Sequence, residues 1–120
     1  MDRLERMKDE GAKGLEHAGT KTASYTLKAY EHIVFVNSTS GAITITLPPV
    51  AEAKGRFYSI VVRAASVVNT ITITDLDDSE CWADIVLNSK CDRLLMYSDG
   101  LHWHPLAAIT TTFPDGYDYP

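Results

Sequence analysis

A chain of 120 residues that is 45% hydrophobic and 22% charged has the statistics of a single globular domain with one core. The formal charge is −5; residues 1–22 hold five acids and five bases, so the whole excess falls on the remainder. That acidic body argues against direct nucleic-acid binding, which draws its affinity from cations meeting phosphates. No apolar run reaches membrane-span length, and the charged start lacks the apolar stretch of a signal peptide, so we expect a protein made in the cytoplasm and kept in solution, with no membrane partner.

The first segment, residues 1–23, reads as an arm. Arg, Lys, Glu, Leu and Met are frequent, and Leu4, Met7 and Leu15 fall near one helical face. Gly11, Gly14 and Gly19 interrupt that pattern, so the arm is expected to be helical or extended and to order against a partner.

From Ser24 the texture changes to β-branched and aromatic residues set between turn formers, which predicts a β domain over residues 24–106. Tyr25 to Tyr30 and Ile33 to Asn37 read as strands. After the turn Asn37 to Gly41, the run Ile43-Thr44-Ile45-Thr46 sends isoleucine and threonine to opposite faces until Pro48 and Pro49 end it. Phe57 to Arg63 and Thr70 to Thr74 follow. Ile43 and Ile45 lie 28 positions before Ile71 and Ile73, a weak repeat with too few copies to predict a solenoid. An acidic loop, Asp75 to Glu80, precedes strands at Ala83 to Leu87 and Arg93 to Tyr97. Ser98-Asp99-Gly100 predicts a tight two-residue hairpin returning through Leu101 to Leu106, with Leu101 and Trp103 turned inward. Residues 107–120 form a tail whose prolines and glycine exclude a helix; Phe113, Tyr117 and Tyr119 suit an extended segment lying on a neighbouring surface. The fold expected is all-β: a compact antiparallel β-sandwich or barrel of seven or eight strands with the short arm in front.

Cys81 and Cys91 are too few for a disulfide framework and lack metal spacing, so they read as reduced, packed thiols, a bridge being the alternative. His102 and His104 share a face on a strand, but a metal would need a third ligand. Asp75, Asp77, Asp78 and Glu80 offer oxygen ligands without the glycine and full series of a calcium loop. No nucleophile elbow, phosphate-cradling loop or zinc-protease motif occurs, so no enzyme, catalytic residue, cofactor or metal is expected. Tyr25, Phe35, Tyr58 and Tyr97 are aromatics that would pack either in the core or against a sister subunit.

Four ordered pieces carry a family likeness: Asn37-Ser38-Thr39-Ser40-Gly41-Ala42-Ile43-Thr44-Ile45-Thr46-Leu47-Pro48, Gly55-Arg56-Phe57-Tyr58-Ser59-Ile60, Asn69-Thr70-Ile71-Thr72-Ile73-Thr74, and Tyr97-Ser98-Asp99-Gly100 followed by Trp103. Together they resemble a β module of tailed-bacteriophage head decoration and fibre proteins. Where such modules often read Ile-Asp-Gly, this chain has Cys81-Trp82-Ala83-Asp84-Ile85, which touches the local turn more than the fold. The resemblance implies a structural homotrimer and does not itself separate decoration from fibre; the decoration reading adds the major capsid protein as partner, on the outer surface of the virion head. A short chain with one arm suits a capsid decoration protein, the arm (Leu4, Met7, Leu15) and tail (Phe113, Tyr117, Tyr119) making the capsid or subunit contacts. The alternative is a tail-fibre or receptor-binding module that recognises host glycans through Trp82 and Trp103.

Overall fold

The computed structural model describes residues 19–66 and 68–110. Among these, the chain forms β1 (Thr20–Lys21), β2 (Tyr25–Thr26), β3 (Ile33–Asn37), β4 (Ile43–Thr46), β5 (Phe57–Ala64), β6 (Ile71–Thr74), β7 (Ile85–Leu87), β8 (Arg93–Ser98) and β9 (Trp103–Ile109), and no helix. The all-β expectation holds. The arm with Leu4, Met7 and Leu15 and the tail residues Phe113, Tyr117 and Tyr119 lie outside the described residues.

Two sheets make the body, one ordered β1-β3-β5-β8-β9 and the other β2-β4-β6-β7. The first six strands alternate between the sheets, so the chain crosses from one layer to the other five times. Each strand therefore lies beside the strand two elements earlier and runs parallel to it: β1 with β3, β3 with β5, β2 with β4, and β4 with β6. Only the last pairings, β6–β7, β5–β8 and β8–β9, are antiparallel. The expected antiparallel arrangement is thus corrected to two mixed sheets, and no barrel closes among the described strands. The physical reason is that alternation fixes which face a side chain takes but not which strand lies alongside. The repeat is the register itself: Ile43 sits beside Ile71 and Ile45 beside Ile73, 28 positions apart in sequence.

The core fills the space between the layers. Ile43, Ile45, Ile71, Ile73, Leu27, Leu47 and Leu87 face Val34, Val36, Tyr58, Ile60, Val62, Leu94 and Met96, all buried. Trp103 is wholly enclosed and meets Tyr58 edge-on, with ring centroids 5.4 Å apart. Buried polar groups are tied into turns. Ser98 Oγ donates to the Val50 carbonyl at 2.6 Å and accepts from the Gly100 N–H, while Ser38 Oγ donates to the Asn69 carbonyl at 2.6 Å. Asp92 accepts from the N–H groups of Asn88 and Ser89 at 3.1 Å, closing the bend before β8.

The final hairpin differs from a two-residue turn. Asp99 Oδ1 accepts from both Leu101 N–H (2.7 Å) and His102 N–H (2.6 Å), so its side chain holds a wider loop and the strands pair only from Ser98 and Trp103 outward. Leu101 consequently sits at the loop tip, 72% exposed, instead of facing the core. Gly100 has φ +94°, and a Cβ there would stand 2.9 Å from the Lys54 side chain, so both conformation and space favour glycine.

Candidate functional site

The two outer faces of the body differ in chemistry because their strands differ in pattern. On the four-stranded sheet, pairing aligns Thr26, Thr46 and Thr74 in one row and Thr44, Thr72 and Val86 in the next. That face is a hydroxyl-rich surface suited to water. On the five-stranded sheet, β5 and β8 are apolar at both parities, so burying Tyr58, Ile60, Val62, Leu94 and Met96 leaves a second apolar set pointing out. Three cross-strand rows result: Phe57–Tyr97–His104, then Ile33–Ser59–Leu95–Ala107, then Thr20–Phe35–Val61–Arg93–Ile109. Phe57 (51% exposed), Ile33 (48%) and Ile109 (43%) present large apolar side chains. A contiguous apolar patch of this kind usually marks a contact surface.

The face has polarity along the strands. At one end the Phe57 and Tyr97 rings meet at a tilt of 47°, with centroids 4.9 Å apart, and His104 Nε2 meets Asp99 Oδ2 at 2.9 Å. At the other end the Arg63 guanidinium lies over the Phe35 ring, 4.2 Å from its centroid, next to Arg93. Two adjoining depressions sit there and share Arg93. One, of about 380 Å³, is lined by Phe35, Val61, Arg63, Lys90 and Cys91; the other, of about 250 Å³, by Ser59, Leu95, Ala107 and Ile109. No outward-facing strand position of this sheet carries a carboxylate among the described residues.

The residues singled out from sequence distribute as follows. Phe35 and Tyr97 are on the apolar outer face, Tyr58 is in the core, and Tyr25 is half-buried beside β4. Tyr25 Oη donates to Glu31 Oε1 at 2.7 Å, and Lys21 Nζ stands 4.0 Å from the Tyr25 ring centroid and 3.8 Å from Glu31 Oε2. The hydrogen bond to Glu31, with burial second, pushes the Tyr25 phenol up to about 12. Ile33, Phe57, Val61, Leu95 and Ile109 were not singled out; the missed signal is that β5 and β8 carry apolar residues at both parities, the mark of strands covered on both sides.

His102 and His104 do come together, with ring centroids 6.4 Å apart, both turned toward Asp99. The His104 hydrogen bond, followed by the two backbone N–H donors, holds the Asp99 carboxyl well below the usual carboxylate range. This is loop-closing chemistry: among the described residues no cluster of three His, Cys, Asp or Glu side chains could hold a metal ion. In the acidic loop, Asp75 Oδ2 accepts from Trp82 Nε1 (2.9 Å), Asp75 Oδ1 from Asp77 N–H, and Asp78 Oδ2 from Val50 N–H (2.8 Å). Both cysteines are free; Cys81 is exposed, not packed, and Cys91 is half-buried. Trp103, one of the two tryptophans considered for sugar stacking, is inaccessible, and Trp82 packs against the core with its indole N–H engaged. No family model matches the chain, and neither a curated protein nor a solved structure gives a match.

Proposed function

We propose that this protein is a bacteriophage head decoration protein: a non-enzymatic trimer that binds the major capsid protein on the outside of the mature head and stabilises the shell. The observation that carries the reading is the apolar, arginine-ended outer face of the five-stranded sheet, a surface for adhesion opposite the threonine rows of the four-stranded sheet. The ordered motif series supports the phage assignment, and its pieces are structural. The Ile-Thr-Ile-Thr runs are the stacked strands, Gly55 (φ +76°) and Gly100 (φ +94°) occupy turns that favour glycine, and Trp103 is the largest wholly buried side chain.

In this reading the arm, with Leu4, Met7 and Leu15, grips the shell, and the tail, with Phe113, Tyr117 and Tyr119, packs against subunit bodies. Three arms on one trimer raise avidity, because after the first engages the others bind intramolecularly. The receptor-binding alternative needs exposed aromatic platforms; the burial of Trp103 and the engagement of Trp82 leave it with less support. The deciding experiment mixes purified protein with expanded empty heads and, separately, with host cells, and pellets each. Saturable binding to heads is expected; binding to cells alone overturns the proposal. Light scattering after gel filtration is expected to give three times the chain mass at micromolar concentration, and a monomer mass counts against trimerisation.

A further inference from the structure

The arginine-bearing end of the outer face is apolar and positive, and no carboxylate points out from the strands around it. Its occupant must therefore bring both apolar surface and negative charge. A second copy laid face to face would bring arginines against the same patch with nothing to neutralise them. The arm is a poor match: residues 1–18 mix Arg3, Arg6, Lys8 and Lys13 with their acids. Going back from Thr20, which pairs with Phe35 in the parallel β1–β3 register, the chain heads toward the Ile33 end of the sheet, away from Arg63.

Residues 111–120 match on every count. Phe113, Tyr117 and Tyr119 supply apolar surface, and Asp115 and Asp118 are the only charged side chains in the segment. The strand that leads into it ends at Ile109, directly paired with Arg93 on the rim of both depressions. Ten residues reach roughly 33 Å when extended, against about 14 Å from β9 across to β3 at the usual strand spacing. Pro114-Asp115-Gly116 is turn-forming chemistry placed midway, where a segment that overshoots the end of β9 would have to reverse.

We propose that residues 111–120 dock on the outer face of the five-stranded sheet of their own chain, their aromatics covering Phe35, Val61 and Ile109 and their carboxylates facing Arg63 and Arg93. The inference does not depend on the capsid reading. Combined with it, the tail covers the arginine end of the outer face, the Phe57–Tyr97 end stays open for adhesion, and the arm adds a second anchor.

Cys91 lines the larger depression and reports on its cover. In full-length Cys81→Ser protein, thiol-reagent modification of Cys91 is expected to be at least five-fold slower than in the same protein carrying Phe113→Ala, Tyr117→Ala and Tyr119→Ala. Equal rates overturn the proposal. A second variant, Cys81→Ser with Tyr117→Cys, is expected on mild oxidation to form a disulfide to Cys91 that keeps monomer mobility on a denaturing gel. Adding Arg63→Glu and Arg93→Glu, both at exposed positions, is expected to slow that bridge several-fold. A bridge that joins two chains, or one indifferent to the charge reversals, refutes own-chain docking. The head-pelleting result is read separately, so either proposal can fail while the other stands.

Discussion

Shortening Ile45 and Ile73 to alanine, singly and together, tests the winding directly. Both side chains are 0% exposed and they are register partners in the parallel β4–β6 pair. Each substitution removes three carbons from the core, about 2.4 kcal/mol at roughly 0.8 kcal/mol per methylene. The cavity left by incomplete relaxation brings each cost to about 3–4 kcal/mol. A chain of this size has a total stability of roughly 6–15 kcal/mol, so each single variant should unfold at clearly lower urea with an unchanged slope. Because the two cavities adjoin, the double variant should depart from the sum of the singles by at least about 0.5 kcal/mol. Urea titration followed by circular dichroism and Trp103 fluorescence measures all three. Additivity within about 0.3 kcal/mol would mean that the two isoleucines do not touch, and the parallel register would be wrong.

Other outcomes follow from single groups. The Tyr25 phenol, raised to about 12 by Glu31, contributes stability that is fully present below the ordinary tyrosine value near 10 and is lost as pH rises through 12; melting temperatures between pH 9 and 12 should fall less steeply in Tyr25→Phe than in the wild type. Cys81→Gly relieves a left-handed residue at φ +78° on the surface and should stabilise the fold by roughly 1 kcal/mol, seen as a raised melting temperature. Ser98→Ala strands the buried Val50 carbonyl and the Gly100 N–H and should cost about 1–3 kcal/mol in denaturant, whereas Ser89→Ala, whose hydroxyl bonds only its exposed neighbour Asn88, should be near neutral.

Much of this fold can be read from the chain before its structure. β3 to β6 and β8 fall where alternation, β-branching and the flanking turn formers place them, because each signal is local and each strand has one face to bury. Who pairs with whom is not local. The 28-position spacing was the one hint of parallel stacking, and two short copies were too few to decide it. β1 was hidden because Lys21 points inward, made tolerable by Glu31, a partner ten positions on that is itself 2% exposed. Trp103, set between two histidines, is legible as an inward residue from alternation alone, and its pairing with Ser98 places it in the core, whereas Leu101 lies at the loop tip because the turn is wider than two residues. The apolar outer face was legible in the wrong terms: Phe57, Val61 and Leu95 look like core residues, and only when a single sheet covers one parity does the other become a surface.

The change from parallel to antiparallel pairing at β7, β8 and β9 has a bearing on synthesis. A chain emerging from the ribosome can lay down its first six strands by repeating one manoeuvre, and although the returns lengthen along the chain, the cost of closure grows so slowly with length that each is entropically similar. Until Ile85 and Arg93 arrive, however, β5 and β6 stand as bare sticky margins side by side, open to any other nascent chain. The reversed strands act as end pieces that stop this coil from growing. Pro105, which has no N–H to donate, and the register shift that leaves Leu106 unpaired opposite Leu95 and Met96 then blunt β9, so the five-stranded sheet ends in an edge that recruits poorly.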